Sequence, residues 1–117
     1  WDLQRKVLMR YPVNPDGSLG PGRVFHDFTS EREPVALDGI KVDVEGNVYV
    51  SAPGGVWILS PAGKALGRIV PPEHDANFAF GDNDSRSLYL TASTGLYRLR
   101  VGIPGIRPGA VVQAASR

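Results

Sequence analysis

The sequence has no cysteine, which excludes disulfides, thiolate zinc sites and a cysteine nucleophile. It leaves the compartment open, because cytosolic and periplasmic proteins alike can lack the residue. An excess of one charge is missing too. The 13 basic and 12 acidic residues leave a net +1, so nothing suggests the basic patch that a nucleic-acid partner requires. Apolar runs are strand-length and broken by Gly, Pro or charge, far short of the ~18 residues of a spanning helix. No membrane partner is expected. The opening "WDLQRKVLMR" lacks the continuous apolar core of a signal peptide, although an export signal could be encoded upstream. What remains has the length of one domain, 117 residues, with the 42% apolar content of a soluble globular chain, cytoplasmic or periplasmic.

Helical stripes are also missing, and 14 Gly with 10 Pro would break most candidates; only "AVVQAAS" near the end is ambiguous. Period-two alternation takes their place. In "DGIKVDVEGNVYVSA", residues 38–52, Ile40, Val42 and Val44 alternate with polar residues, "EGN" turns the chain, and Val48, Val50 and Ala52 alternate again. "APGG" then turns into "VWILS", and "PAGK" into "ALGRIV", before Pro71 and Pro72 stop the pairing. The spacing predicts a four-stranded antiparallel meander.

The meander recurs. "NVYVSAPGGVWILS" at 47–60 returns as "SLYLTASTGLYRLR" at 87–100, about 40 residues on, which is the spacing of four-stranded propeller blades. Tyr49 matches Tyr89, and Trp57 matches Tyr97; the repeat of Trp57 and Tyr97 points to blade packing and not to substrate stacking. Upstream, "NPDG" holds the turn position that "SPAG" holds one unit later. The predicted fold is all-β. Residues 1–117 divide into the end of one blade (6–34), a complete blade (35–72), most of a further blade (73–104) and a tail (105–117). Fewer than three blades cannot close a ring, since propellers use typically four to eight. Closure therefore calls for a missing N-terminal half or for self-association with a second copy.

"LDGIKVDVEGNVYVSAPGGVWILSPAGKALG" with "ANFAFGDNDSRSLYLTASTGLYRLR" closely resembles the C-terminal part of the regucalcin, SMP-30 and gluconolactonase (LRE-like) family of six-bladed propellers. The specific element is D-G-[I/M]-x-x-D-x-x-G-N in combination, and the likeness runs over roughly residues 6–104. About half of a six-bladed propeller is thus expected. The resemblance implies a metal-dependent hydrolase of lactones or related sugar-acid esters, with one divalent cation (Ca, Zn or Mg) at the channel mouth. It also implies that Asp38 is the family's metal-binding aspartate, and a carboxylate there could additionally take a proton from water, a catalytic role. The family draws its other ligands from earlier blades, so the isolated chain is expected to be inactive. A calcium-binding, regucalcin-like protein or a non-catalytic propeller binding module are the alternatives, and in the latter Asp38 merely caps a turn.

Other residues invite readings of their own. Asn77, at the start of an inner strand beside that of Asp38, is either a channel-facing substrate contact or an amide that satisfies neighbouring backbone. Asp43, Glu45 and Asn47 lack the spacing of an EF-hand and read as a solvated turn, as do Asp82, Asn83 and Asp84. His74 and Asp75 have no serine in a nucleophile-elbow frame and read as a loop pair. His26 is expected at the surface or a blade edge. The second hairpin is expected to have no carboxylate at its entrance, Ala76 standing about where Asp38 stands in the first.

Overall fold

The computed structural model describes residues 1–33 and 38–109. The segment "AVVQAAS" and the first residues of the 35–72 unit lie outside the described residues. Among the described residues nine strands form three separate antiparallel sheets: β1 (Val7–Arg10) with β2 (Arg23–Asp27); β3 (Ile40–Val42), β4 (Val48–Ala52), β5 (Gly55–Leu59) and β6 (Ala65–Ile69) in that order; and β7 (Asp75–Gly81), β8 (Ser87–Ala92) and β9 (Leu96–Arg100). This is a partial β-propeller. A radius of gyration of 14.8 Å exceeds the ~13 Å of a closed globule of this length, as befits an arc of blades. No helix among the described residues is long and apolar enough to cross a membrane.

Alternation along β4 explains why the sheets stack. Val50 is fully buried on one face with Leu8, Phe28, Ala52 and Leu59, joining the first sheet to the second. Tyr49 points to the other face and packs with Val56, Phe78, Leu88 and Leu90, joining the second sheet to the third. A strand sandwiched between two sheets needs large apolar residues at both parities, and "NVYV" supplies them. Each fully buried Val, Leu or Phe contributes roughly 1.5–3 kcal/mol by burial. The two repeated aromatics serve this packing. Trp57 meets Phe28 edge-on at 5.4 Å, and Tyr97 packs against the second cluster.

The reading of a solvated turn is corrected at Asp43 and Asn47, both buried, and holds at exposed Glu45. Asp43 lies in the β3–β4 turn, but it is fully buried rather than solvated. Its Oδ1 accepts from the amides of Glu45 (2.9 Å) and Asn47 (3.0 Å), and its Oδ2 accepts from Asn47 Nδ2 (2.9 Å). A carboxylate so satisfied tolerates burial because hydrogen bonds replace its water. His26 stands on β2, an edge strand of its sheet, as expected, and is half-buried there: its Nδ1 bonds the Gly63 carbonyl at 2.7 Å, and its ring lies 4.4 Å from that of Phe28. It ties β2 to the β5–β6 turn.

The strands' parallel bookkeeping defines two ends. Asp38, Ala52, Gly55, Ile69 and Asp75 share the near end. The β3–β4 turn, the β7–β8 turn and the end of β9 share the far one.

Candidate functional site

The near end gathers the candidate residues. Inner strands β3 and β7 lie side by side without hydrogen-bonding to each other, and the loop residue Gly39 is buried between them. The Gly39 carbonyl accepts from Ser51 N at 2.9 Å, continuing the β3–β4 ladder by one residue. A Cβ on Gly39 would stand 2.5 Å from Asn77 Oδ1 and 3.0 Å from Phe78 Cε1, so any other residue would push these side chains from their places. Asp38 therefore follows as the exposed residue next to this contact, and Asn77 is exposed on the neighbouring strand.

Asn77 uses Oδ1 to accept from Phe78 N at 2.8 Å, which fixes its amide plane. Thr91 Oγ1 donates to its carbonyl at 3.1 Å. Backbone satisfaction and exposure thus coexist in one side chain, with the Nδ2 donor left for other use.

The second hairpin does carry a carboxylate at its entrance, contrary to expectation. A bulge between Asp75 and Asn77 places Asp75, not Ala76, in the ladder opposite Ala92. The one-residue shift hides the match from a count along the chain. Asp75 is 3% exposed, and its Oδ2, like the Ser51 Oγ, is buried without a hydrogen-bond partner among the described residues. Asp75 thus differs from Asp38 in facing inward. His74 bonds through Nδ1 to the carbonyl of Asp75, not to its carboxylate, so the pair has no dyad geometry. Beside them a cleft of about 380 Å³ is lined by Ala52, Gly54, Arg68, Glu73, His74 and Asp75 among others. Arg68 lies over the Trp57 ring at 5.4 Å and pairs with Glu33 at 3.4 Å.

Asp82 and Asp84 sit apart, at the far end. Hydrogen bonds from Ser87 and then Tyr89 hold the Asp82 carboxyl below its usual range, and Arg100 followed by the Arg86 amide does the same for Asp84. They are exposed turn residues engaged with neighbours, as the sequence suggested.

Comparison with known proteins decides what this architecture is. The profile of the SMP-30/Gluconolactonase/LRE-like region matches residues 1–94. The chain belongs to this family. The gluconolactonase of Zymomonas mobilis is 38% identical over 96 residues, 77% of this chain and 27% of that protein. A solved protein assigned as a gluconolactonase superposes with a TM-score of 0.78 at 32% identity, over 91% of this chain and 35% of that one. The calcium-binding regucalcin of Agrobacterium tumefaciens shares the fold, with a TM-score of 0.71 at 23% identity over 90% of this chain and 41% of that one. The chain spans about a quarter to two-fifths of the length of these relatives.

A divalent cation of the family can be tested against the residues present. Exposed Asp38 carries a carboxylate, the donor type that hard cations take, whereas the Asn77 amide oxygen already accepts from Phe78 N. Among the described residues no three His, Cys, Asp or Glu side chains gather to hold a metal, so a cation held here would need further ligands from outside them.

Proposed function

We propose that the full-length protein containing this chain is a metal-dependent lactonase acting on sugar-acid lactones, with Asp38 as the chain's metal-binding and catalytic carboxylate. The observation that carries the reading is the pressed contact of Gly39 on Asn77, in a chain 38% identical to a gluconolactonase. The contact sets Gly39, the chain neighbour of exposed Asp38, against exposed Asn77 of β7.

In this reading the Asp38 carboxylate would hold a divalent cation, which when bound would supply Lewis-acid chemistry to a lactone carbonyl and a water. The Asp38 carboxylate would also take a proton from the attacking water and return it to the ring oxygen as the C–O bond breaks. Asn77, its plane fixed by Phe78 N, directs Nδ2 towards the oxygens of the lactone and orients the ring. The oxygen donors favour Ca²⁺ or Mg²⁺, while a carboxylate is also acceptable to Zn²⁺. The isolated chain, with one carboxylate at this position, is expected to be inactive.

The test is hydrolysis of glucono-1,5-lactone by the full-length protein, followed as acid release. Activity lost on chelation and restored by one of the three cations supports the proposal. Hydrolysis that survives exhaustive chelation contradicts the metal requirement, and absence of hydrolysis with every cation favours a binding module.

A further inference from the structure

At the far end, residues 101–107 leave β9 and cross beneath both inner strands. Val101 N donates to the Arg86 carbonyl at 2.9 Å and Gly105 N to the Ser85 carbonyl at 2.8 Å, which fastens the segment to the β7–β8 turn. Val44 N donates to the Pro104 carbonyl at 2.9 Å and Ile106 N to the Val42 carbonyl at 3.0 Å, which fastens it to β3 on the edge that β4 leaves unpaired. Arg107 Nε adds a bond to Ser85 Oγ at 2.8 Å, and Ser85 is 6% exposed with a positive φ of 55°. Among the described residues, this strap is the element that hydrogen-bonds to both inner-strand blades.

Its fit is close. A Cβ on Gly105 would lie 2.0 Å from Cγ of Phe80, a β7 residue whose ring meets Tyr49 of β4 edge-on at 5.1 Å. Any side chain at 105 would lift the strap from β7 or push Phe80 into the packing between sheets. From Phe80 back to Asn77, and from Val42 back to Gly39, is three residues of strand, about 10 Å. β3 and β7 lack a ladder between them, so their separation is set by packing along their length and by this clamp.

The geometry points to the strap as a positioning device for the candidate site, with Gly105 and Arg107 as positioning residues. By pinning the far ends of β3 and β7, it fixes the spacing at which Asp38 and Asn77 stand at the near ends. The inference rests on the proposed lactonase for its kinetic readout, but its structural readout does not.

The experiment uses the full-length protein with Gly105→Ala, the milder Arg107→Ala, and Phe28→Leu as a control in the other core cluster, compared well below Tm. Two quantities are read: exchange of the Ser51 and Phe78 amides by NMR, and kcat against KM for glucono-1,5-lactone. Loosening the clamp is expected to speed exchange at both near-end amides about tenfold. It is also expected to lower kcat tenfold or more while KM changes little, since an ångström of misplacement can cost ~100-fold. Phe28→Leu at a matched loss of Tm leaves both readouts unchanged. If Gly105→Ala does not fold, Arg107→Ala decides alone. Folded strap variants whose exchange and kcat stay within about twofold of wild type, or a control that reproduces their losses, overturn the inference. A wild type that hydrolyses no lactone sinks the lactonase reading instead, while amide exchange still judges the clamp.

Discussion

Gly39 and Asn77 touch across two sheets that share no hydrogen bond, the missing Cβ of one leaving room for the amide oxygen of the other, which would otherwise sit 2.5 Å away. The contact links a turn motif to a site. A glycine that merely completed an Asp-Gly turn would tolerate alanine if its backbone angles allowed, whereas here a side chain at 39 must displace the Asn77 amide and crowd the Phe78 ring.

Gly39→Val is therefore expected to lower lactone hydrolysis by the full-length protein at least tenfold, by driving β7 from Asp38. Kinetics combined with a melting curve check this. A variant with wild-type kcat would show that the Asp38 and Asn77 spacing is immaterial.

Removing the Asp43 carboxylate leaves the amides of Glu45 and Asn47, and the side chain of Asn47, without their acceptor. Each unsatisfied buried group costs about 1–3 kcal/mol, so Asp43→Ala should destabilise the protein by roughly 3 kcal/mol or more. Chemical denaturation measures it. Cation affinity should be unchanged at temperatures where the variant stays folded, because Asp43 lies at the far end of β3 from Asp38.

Core substitutions should discriminate between the two faces of the repeat. Leu88 is fully buried and Leu66 is 57% exposed. Leu88→Ala is expected to cost about 2–5 kcal/mol. Leu66→Ala should fall within about 0.5 kcal/mol of wild type.

Acid sensitivity should follow the far-end carboxylates. Ser87 and Tyr89 depress Asp82, and Arg100 and the Arg86 amide depress Asp84, so both are more acidic folded than unfolded. The sign follows directly. Their stabilisation is present above the unfolded value of about 3.9 and is lost as pH falls through the depressed folded values. A Tm profile from pH 5 to pH 2 should fall for wild type and flatten for Asp82→Asn/Asp84→Asn. Exposure keeps the effect small, so equal slopes would mean that these pairs are solvent-screened.

Much of the fold was legible because blades repeat. The 40-residue offset between Tyr49 and Tyr89 located two hairpins, and both parities of "NVYV" announced a sheet buried on two faces. Polar residues were harder to read. Asp43 looks like any turn aspartate until the side chain of Asn47 is seen donating to it. Asp75 reads as a loop residue instead of an entrance carboxylate because the bulge after it moves the ladder by one residue, and a bulge leaves no mark in hydropathy. Asp38 was legible only through its motif in combination, since Asp-Gly alone serves many turns. The strap was missed altogether. "VGIPGIR" has no alternation, and its register is set by carbonyls of two distant turns.

The central claim is that Asp38 holds the cation. Calorimetric titration of the full-length protein and of Asp38→Ala with Ca²⁺, Mg²⁺ and Zn²⁺ tests it most directly. The account predicts one site per wild-type molecule, and at least a hundredfold weaker binding in the variant, about 2.7 kcal/mol. An unchanged affinity in a folded Asp38→Ala would contradict it and leave Asp38 as the cap of a turn.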